Sequence, residues 1–168
     1  SVVGGDIVGD LVLKELNRLG VSISSMIKSK KSRTTEKMRI IGDGQQIVRV
    51  DYDENHELDI LNTSKHKKIN LDISNFQGII ISDYNKGVCN PKFLKYIFEK
   101  AKIQNIPIFV DPKGNEWEKY SGADIITPNR REAEIVLGTK LVNNRDYEVA
   151  GFEICQRYNI NSCLITKG

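Results

Sequence analysis

Four short apolar runs, each ending in polar residues and separated from the next by a longer polar or helix-forming stretch, leave this chain few architectures. Gly78-Ile79-Ile80-Ile81 runs into Ser82-Asp83, Ile108-Phe109-Val110 into Asp111-Pro112-Lys113-Gly114, Ile125-Ile126 into Thr127-Pro128-Asn129, and Leu164-Ile165 into Thr166-Lys167-Gly168. Between them lie a helix opened by Asn90-Pro91 with Phe93, Leu94, Ile97, Phe98 and Ala101 inward, a short helical piece around Trp117, and helices over 130–137 and 146–158. Repeated strand-then-helix order predicts a parallel, doubly wound α/β sheet with strands at 78–82, 106–110, 124–127 and 162–166. In such a sheet ligands bind outside the carboxyl ends of the strands. Those ends here carry Asp, Lys, Asn, Glu and Thr, a rim suited to phosphate and Mg²⁺.

The first half breaks the alternation. Ser1 to Val3 reads as a strand, and Asp6 caps a helix whose Ile7, Val8, Leu11, Val12, Leu16 and Leu19 recur at helical spacing until Gly20. Residues 21–27 are extended. Glu36–Ile41 and Gln45–Val50 are then β-rich runs around Gly42-Asp43-Gly44, which predicts a hairpin with a three-residue loop. Alternation puts Lys37 and Arg39 on one face of the first strand, and Gln45 and Arg49 opposite Gln46, Val48 and Val50 on the second. So polar a hairpin does not belong inside a main sheet, and residues 35–51 are expected to form a flap. A helix over 56–68 and a connector over 70–77 lead back to the alternation.

Thr127-Pro128-Asn129-Arg130-Arg131-Glu132-Ala133-Glu134 places Asn and Glu three apart where a strand enters a helix. A helix N-terminus offers free N–H groups to an anion, and a carboxylate one turn in can hold a hydrated Mg²⁺. The same spacing is also a plain capping box. Asp83-Tyr84-Asn85-Lys86-Gly87 and Asp111-Pro112-Lys113-Gly114 likewise read either as site loops or as surface turns.

Composition narrows the class. The formal charge of +3 is spread over many Lys and Glu, and the one dense run, Lys65 to Lys68, is short, so nucleic acid is not the expected partner. Cys89, Cys155 and Cys163 show no paired spacing, and His56 and His66 join no ligand cluster, which argues against zinc and disulfides. With no membrane span or leader in the sequence, a soluble cytoplasmic protein is expected.

Together these segments resemble the ribokinase-like, or PfkB, carbohydrate kinases, and within them the heptose 7-phosphate kinases. Val2-Val3-Gly4-Gly5-Asp6 through Gly9 resembles the family's early glycine-aspartate turn. Arg33 to Arg39, with Gln45-Gln46 and Arg49-Val50-Asp51, resembles its lid, and the three loops after the apolar runs are the more specific matches. The resemblance implies ATP-dependent phosphorylation of a sugar phosphate, heptose 7-phosphate to the 1,7-bisphosphate in lipopolysaccharide-precursor synthesis. It implies ATP and Mg²⁺ as cofactors and a homodimer formed through the lid. Asn129, Glu132, Thr166, Lys167 and Gly168 would bind nucleotide and phosphate, with Glu132 reaching the metal through water. Gln46, Arg49, Asp83, Lys86 and Lys113 would contact the sugar or its phosphate. A kinase for an unphosphorylated sugar and a non-catalytic binding module are the other readings.

Two departures stand out. Asn85 replaces the usual glycine, a change its tolerance of left-handed backbone accommodates. The family's Gly-x-Gly-Asp segment, which carries the catalytic base, and its Gly-Gly-x-x-x-Asn sugar segment do not occur in these residues. The expectation is therefore an incomplete kinase domain over 1–168, inactive by itself, with the base after Gly168 and the sugar segment before Ser1; the resemblance allows, without requiring, an adenylyltransferase domain in the whole protein.

Overall fold

The apolar runs become strands where the backbone can pair, and helices where Asn and Asp caps start them. A computed structural model describes residues 1–52 and 71–167. The expected helix over 56–68 lies outside the described residues, as does Gly168. Contacts divide the described chain into two units, 1–52 with 86–88, and 71–85 with 89–167.

In the first unit β1 (Val2–Gly4) pairs in parallel with β2 (Ile27–Ser29), and α1 (Ile7–Arg18) connects them. Asp6 caps α1 as expected, its side chain accepting from Gly9 N at 2.7 Å. The hairpin is a separate two-stranded antiparallel sheet, β3 (Glu36–Gly42) and β4 (Gln45–Tyr52). Its loop is shorter than expected, because Gly42 pairs with Gln45 and only Asp43 and Gly44 turn the chain. Both have positive φ, 49° and 75°, the type I′ geometry whose twist matches that of the strands.

A register shift after Ile40 leaves Ile47 without a partner and corrects the expected faces. Gln46 pairs with Ile41 rather than continuing the Val48 and Val50 row, so it shares a face with Arg39 and Arg49. Met38, Ile40, Val48 and Val50 form the other, apolar face. It is largely uncovered, with Ile40 44 % and Val48 42 % exposed.

The second unit holds a four-stranded sheet in the order β5 (Ile79–Ser82), β6 (Ile108–Asp111), β7 (Ile125–Ile126), β8 (Ser162–Cys163), parallel throughout. Asn90 caps α2 (Pro91–Gln104), which ends on Asn105 in the left-handed conformation. A 3-10 turn, Trp117–Tyr120, joins β6 to β7, and α3 (Arg130–Leu137) and α4 (Asn144–Tyr158) join β7 to β8. Helix α4 starts earlier than its apolar spacing suggests because Asn143 and Asp146 form a reciprocal capping box ahead of the first inward residue.

Strands added in one direction by right-handed crossovers collect their helices on one face. Ile81, Val110 and Ile126 meet Leu94, Ala133, Ile154 and the ring of Trp117 there in one core. The opposite face carries Ile80 and Leu164, 81 % and 61 % exposed.

Candidate active site at the carboxyl edge of the parallel sheet

Because all four strands of the second unit run the same way, the residues following them fall at one end of the sheet. Backbone bonds carry the pairing past the strands: Asp83 N donates to Asp111 O at 3.0 Å, Thr166 N to Pro128 O at 2.9 Å, and Arg130 N to Thr166 O at 3.0 Å. A further parallel bridge ties Asn129 to Thr166. Asp83, Lys113, Asn129, Glu132 and Thr166 thus share this edge. Gln46, Arg49 and Lys86 belong to the first unit.

At the start of α3 the capping box is real. Asn129 Oδ1 accepts from Glu132 N, and Glu132 Oε2 accepts from Asn129 N, both at 3.0 Å. Capping uses only half of the Glu132 carboxylate. The other oxygen, Oε1, accepts from Lys113 Nζ at 2.7 Å, across from the loop after β6. Glu132 is buried while Lys113 is half-exposed, so the pair stands at a surface with its carboxylate inside and its ammonium reaching out. The hydrogen bond and charge of Glu132 raise the Lys113 pKa, which keeps this ammonium charged. Asn129 and Thr166 are exposed beside it.

Asp83 lies deeper, 4 % exposed, and its carboxylate is fully engaged. Oδ1 accepts from Asn85 N at 2.7 Å, and Oδ2 accepts from Lys119 Nζ and from the Tyr120 hydroxyl, both at 2.6 Å. Asn85 adopts φ 53°, the left-handed turn foreseen for it, and Gly114 faces its side chain at φ 79°. Lys119 and Tyr120 were invisible in the sequence as site neighbours. A lysine between Trp117 and Tyr120 has no periodicity to mark it, and only its buried partner reveals it. Burial and the neighbouring Asp83 push the Tyr120 hydroxyl pKa up, so it stays protonated as a donor.

Lys167 donates to Asn144 Oδ1 at 2.6 Å and lies 4.7 Å from the centroid of the Tyr147 ring. In the first unit, Arg49 is held by Asp51 through two bonds of 2.9 and 2.7 Å. Asp6 does more than cap: it also accepts from Thr34 N at 2.7 Å and Thr34 Oγ1 at 2.8 Å, while Thr34 Oγ1 accepts from Gly4 N at 2.8 Å. Glycine is required here, since a Cβ on Gly4 would sit 2.5 Å from Thr34 N. Among the described residues, no group of three or more His, Cys, Asp or Glu could cage a metal ion, and no helix is long and apolar enough to cross a membrane.

The chain as a whole is similar to known proteins. The sequence model described as "pfkB family carbohydrate kinase" matches residues 1–168. Bifunctional protein HldE of Geobacter sulfurreducens is 33 % identical over 99 % of this chain and 34 % of its own length. The protein of the same name from Geobacter metallireducens is 35 % identical with the same coverage. Among solved structures, ribokinase from Giardia lamblia superposes with a TM-score of 0.73 at 18 % identity, covering 99 % of this chain and 51 % of that one. Phosphofructokinase-2 from Escherichia coli gives 0.67 at 18 % identity, covering 99 % and 55 %. The chain therefore spans about a third of the curated relatives it matches and about half of these solved chains. The fold is ribokinase-like, and the chain belongs to the pfkB family of carbohydrate kinases.

Proposed function

We propose that this chain is part of a kinase that transfers the γ-phosphate of ATP to heptose 7-phosphate, giving the 1,7-bisphosphate. The observation that carries the reading is the Lys113–Glu132–Asn129 cluster at the carboxyl edge of a parallel sheet, in a chain of a carbohydrate-kinase family. Its likeness to the lid and loop motifs of heptose kinases, and to relatives named as bifunctional, supports the finer substrate and a further adenylyltransferase domain in the whole protein.

Phosphoryl transfer asks a protein for position and neutralised charge rather than covalent chemistry. Asn129, Thr166 and Gly168 border the nucleotide in this reading, and the positive end of the α3 dipole favours its phosphates. Lys113 supplies positive charge beside the phosphates. Glu132 has one oxygen on Lys113 and the other on Asn129 N, which leaves each oxygen a lone pair for a water molecule but no open bidentate edge. That donor set fits a hydrated Mg²⁺ carried in by nucleotide phosphates, held by Glu132 and Asn129 through water. Bound there, the metal supplies charge neutralisation to the transferring group.

Gln46 and Arg49, which the bulge puts on one face of the hairpin, contact the sugar or its 7-phosphate, with Lys86. The apolar face of Met38, Ile40, Val48 and Val50 pairs with a second subunit, and the protein works in the cytoplasm. The proton acceptor is a carboxylate beyond Gly168, so residues 1–168 alone turn over no sugar.

The test is ATP-dependent turnover by the full-length protein across a panel of phosphorylated and unphosphorylated sugars. Preference for heptose 7-phosphate is expected. Preference for an unphosphorylated sugar overturns the substrate assignment, and no turnover on any sugar overturns the kinase.

A further inference from the structure

Asp83 presents a problem for any role in touching substrate. Three donors already occupy its two oxygens, at 2.6 to 2.7 Å, and it is 4 % exposed. A carboxylate so placed acts through what it holds.

What it holds most directly is a proton. The Tyr120 hydroxyl has one hydrogen and three oxygen or nitrogen neighbours: Asp83 Oδ2 at 2.6 Å, Lys113 N at 3.2 Å and Lys113 O at 3.3 Å. The short bond to a charged acceptor takes the hydrogen. The hydroxyl oxygen then faces Lys113 as an acceptor, and the partner it suits is the backbone N–H rather than the carbonyl. Lys119, with its side chain 9 % exposed, pairs with Asp83 from the other side. The same turn is pinned one residue on, where Trp117 Nε1 donates to Gly114 O at 3.0 Å. Gly114 is at φ 79°, a conformation open mainly to glycine. The backbone on either side of the Lys113 carbonyl is thus fastened to the Trp117–Tyr120 turn, and the Lys113 side chain leaves it toward Glu132 Oε1 at 2.7 Å.

We propose that Asp83 is a positioning residue: through the Tyr120 hydroxyl it fixes the Lys113 backbone, so that the Lys113 ammonium is held beside Glu132 at the phosphate end of the site. The inference rests on the kinase reading above for what Lys113 does. It rests on geometry alone for how Lys113 is held.

Removing Asp83 itself would strand the buried Lys119, so the hydroxyl is the better handle. Tyr120→Phe keeps the buried ring and deletes only the connection. In the full-length enzyme, Tyr120→Phe is expected to lower kcat roughly tenfold while leaving the KM for sugar phosphate nearly unchanged, because a small displacement of a charged group costs rate steeply. In a Lys113→Met background the same Tyr120→Phe change should cost less than about twofold, since two changes acting on one interaction do not add.

A second measurement needs no turnover. Reductive methylation of the Lys113 amine in the ligand-free protein, followed by mass spectrometry, should run severalfold faster in Tyr120→Phe than in wild type. Equal losses in both backgrounds, or an unchanged methylation rate, overturn the positioning role. Full activity in Lys113→Met overturns it as well. A wild-type enzyme inactive on every sugar refutes the kinase reading instead, and the methylation arm still judges the positioning.

Discussion

The hairpin and the parallel sheet are built from similar apolar residues, yet only one of them makes a core. In the 1–52 unit Val3 is the sole large aliphatic or aromatic side chain that is buried, whereas the second unit buries Trp117, Tyr120, Leu94, Ile126 and Ile154 almost completely. The difference lies in what stands opposite each strand. Parallel strands need crossovers, crossovers bring helices, and helices cover a face. An antiparallel pair closes with two residues and brings nothing with it. Two strands alone are marginal in water, so β3 and β4 depend on their I′ turn, their register and any surface that meets the apolar face. The sheet is a scaffold that fixes charges, and the hairpin leaves its apolar face largely exposed.

The largest effect that separates the two regions should come from the buried ion pair. Lys119→Met leaves the Asp83 carboxylate enclosed and short of a partner, and is expected to destabilise the full-length protein by about 3–5 kcal/mol in urea unfolding. Arg49→Met breaks an ion pair of similar geometry on the exposed hairpin, where solvent screens the charges, and should leave the midpoint nearly unmoved. Equal shifts would erase the distinction between scaffold and surface.

Next in size is the chemistry of the edge. Glu132→Gln keeps an oxygen for Asn129 N but loses the charge facing Lys113, so the cap should survive while Mg-dependent turnover falls by about one to two decades, about 1.4–2.8 kcal/mol. A Mg²⁺ titration of the variant is the check. Kinetics identical to wild type would reduce Asn129 and Glu132 to a helix cap and nothing more.

Much of the sheet was legible because buried parallel strands are short apolar runs with polar ends. The caps at Asp6, Asn90 and Asn129 were legible because each satisfies N–H groups within three residues of itself. What stayed hidden was set by contacts distant in sequence. Nothing near Lys119 announces that it will be buried 36 residues from Asp83. Nor does alternation announce the bulge at Ile47, since a pattern of period two assumes the regular register that a bulge breaks. The same loss of register moved Gln46 onto the Arg49 face. The phosphate-site hypothesis and the capping-box hypothesis proved compatible, because a carboxylate has two oxygens and the cap needs only one.

Arg49→Ala tests the surface side of the comparison more gently. The KM for sugar phosphate is expected to rise by about tenfold or less, the value of one charged hydrogen bond. It stays at the low end because Arg49 must first give up its two bonds to Asp51. ATP binding should stay as it was. A change in ATP affinity with sugar KM unaltered would sink the lid assignment.

The smallest expected effect is an acid-dependent loosening of the first unit. Hydrogen bonds from Thr34 N, from Gly9 N and from the Thr34 hydroxyl hold the Asp6 pKa down to about 2, from an ordinary 3.8. A depressed carboxylate contributes stability that is fully present above its unfolded pKa and is lost as pH falls through the folded one. The window is therefore pH 4 down to 2, and nothing should change above it. Solvent reaches Asp6, so the contribution is screened and local rather than global. Amide exchange at Gly4, Gly9 and Thr34, corrected for intrinsic rates, should speed up across that window in wild type. In Asp6→Asn the side-chain oxygen still caps α1, but the charge and the second acceptor for Thr34 are gone. Protection at Thr34 should then be low already at pH 5 and flat below it. A wild-type profile retained in Asp6→Asn would mean that the turn before the hairpin is held by its backbone packing, and that the contrast between a charge-fixed scaffold and a loosely tied hairpin is drawn in the wrong place.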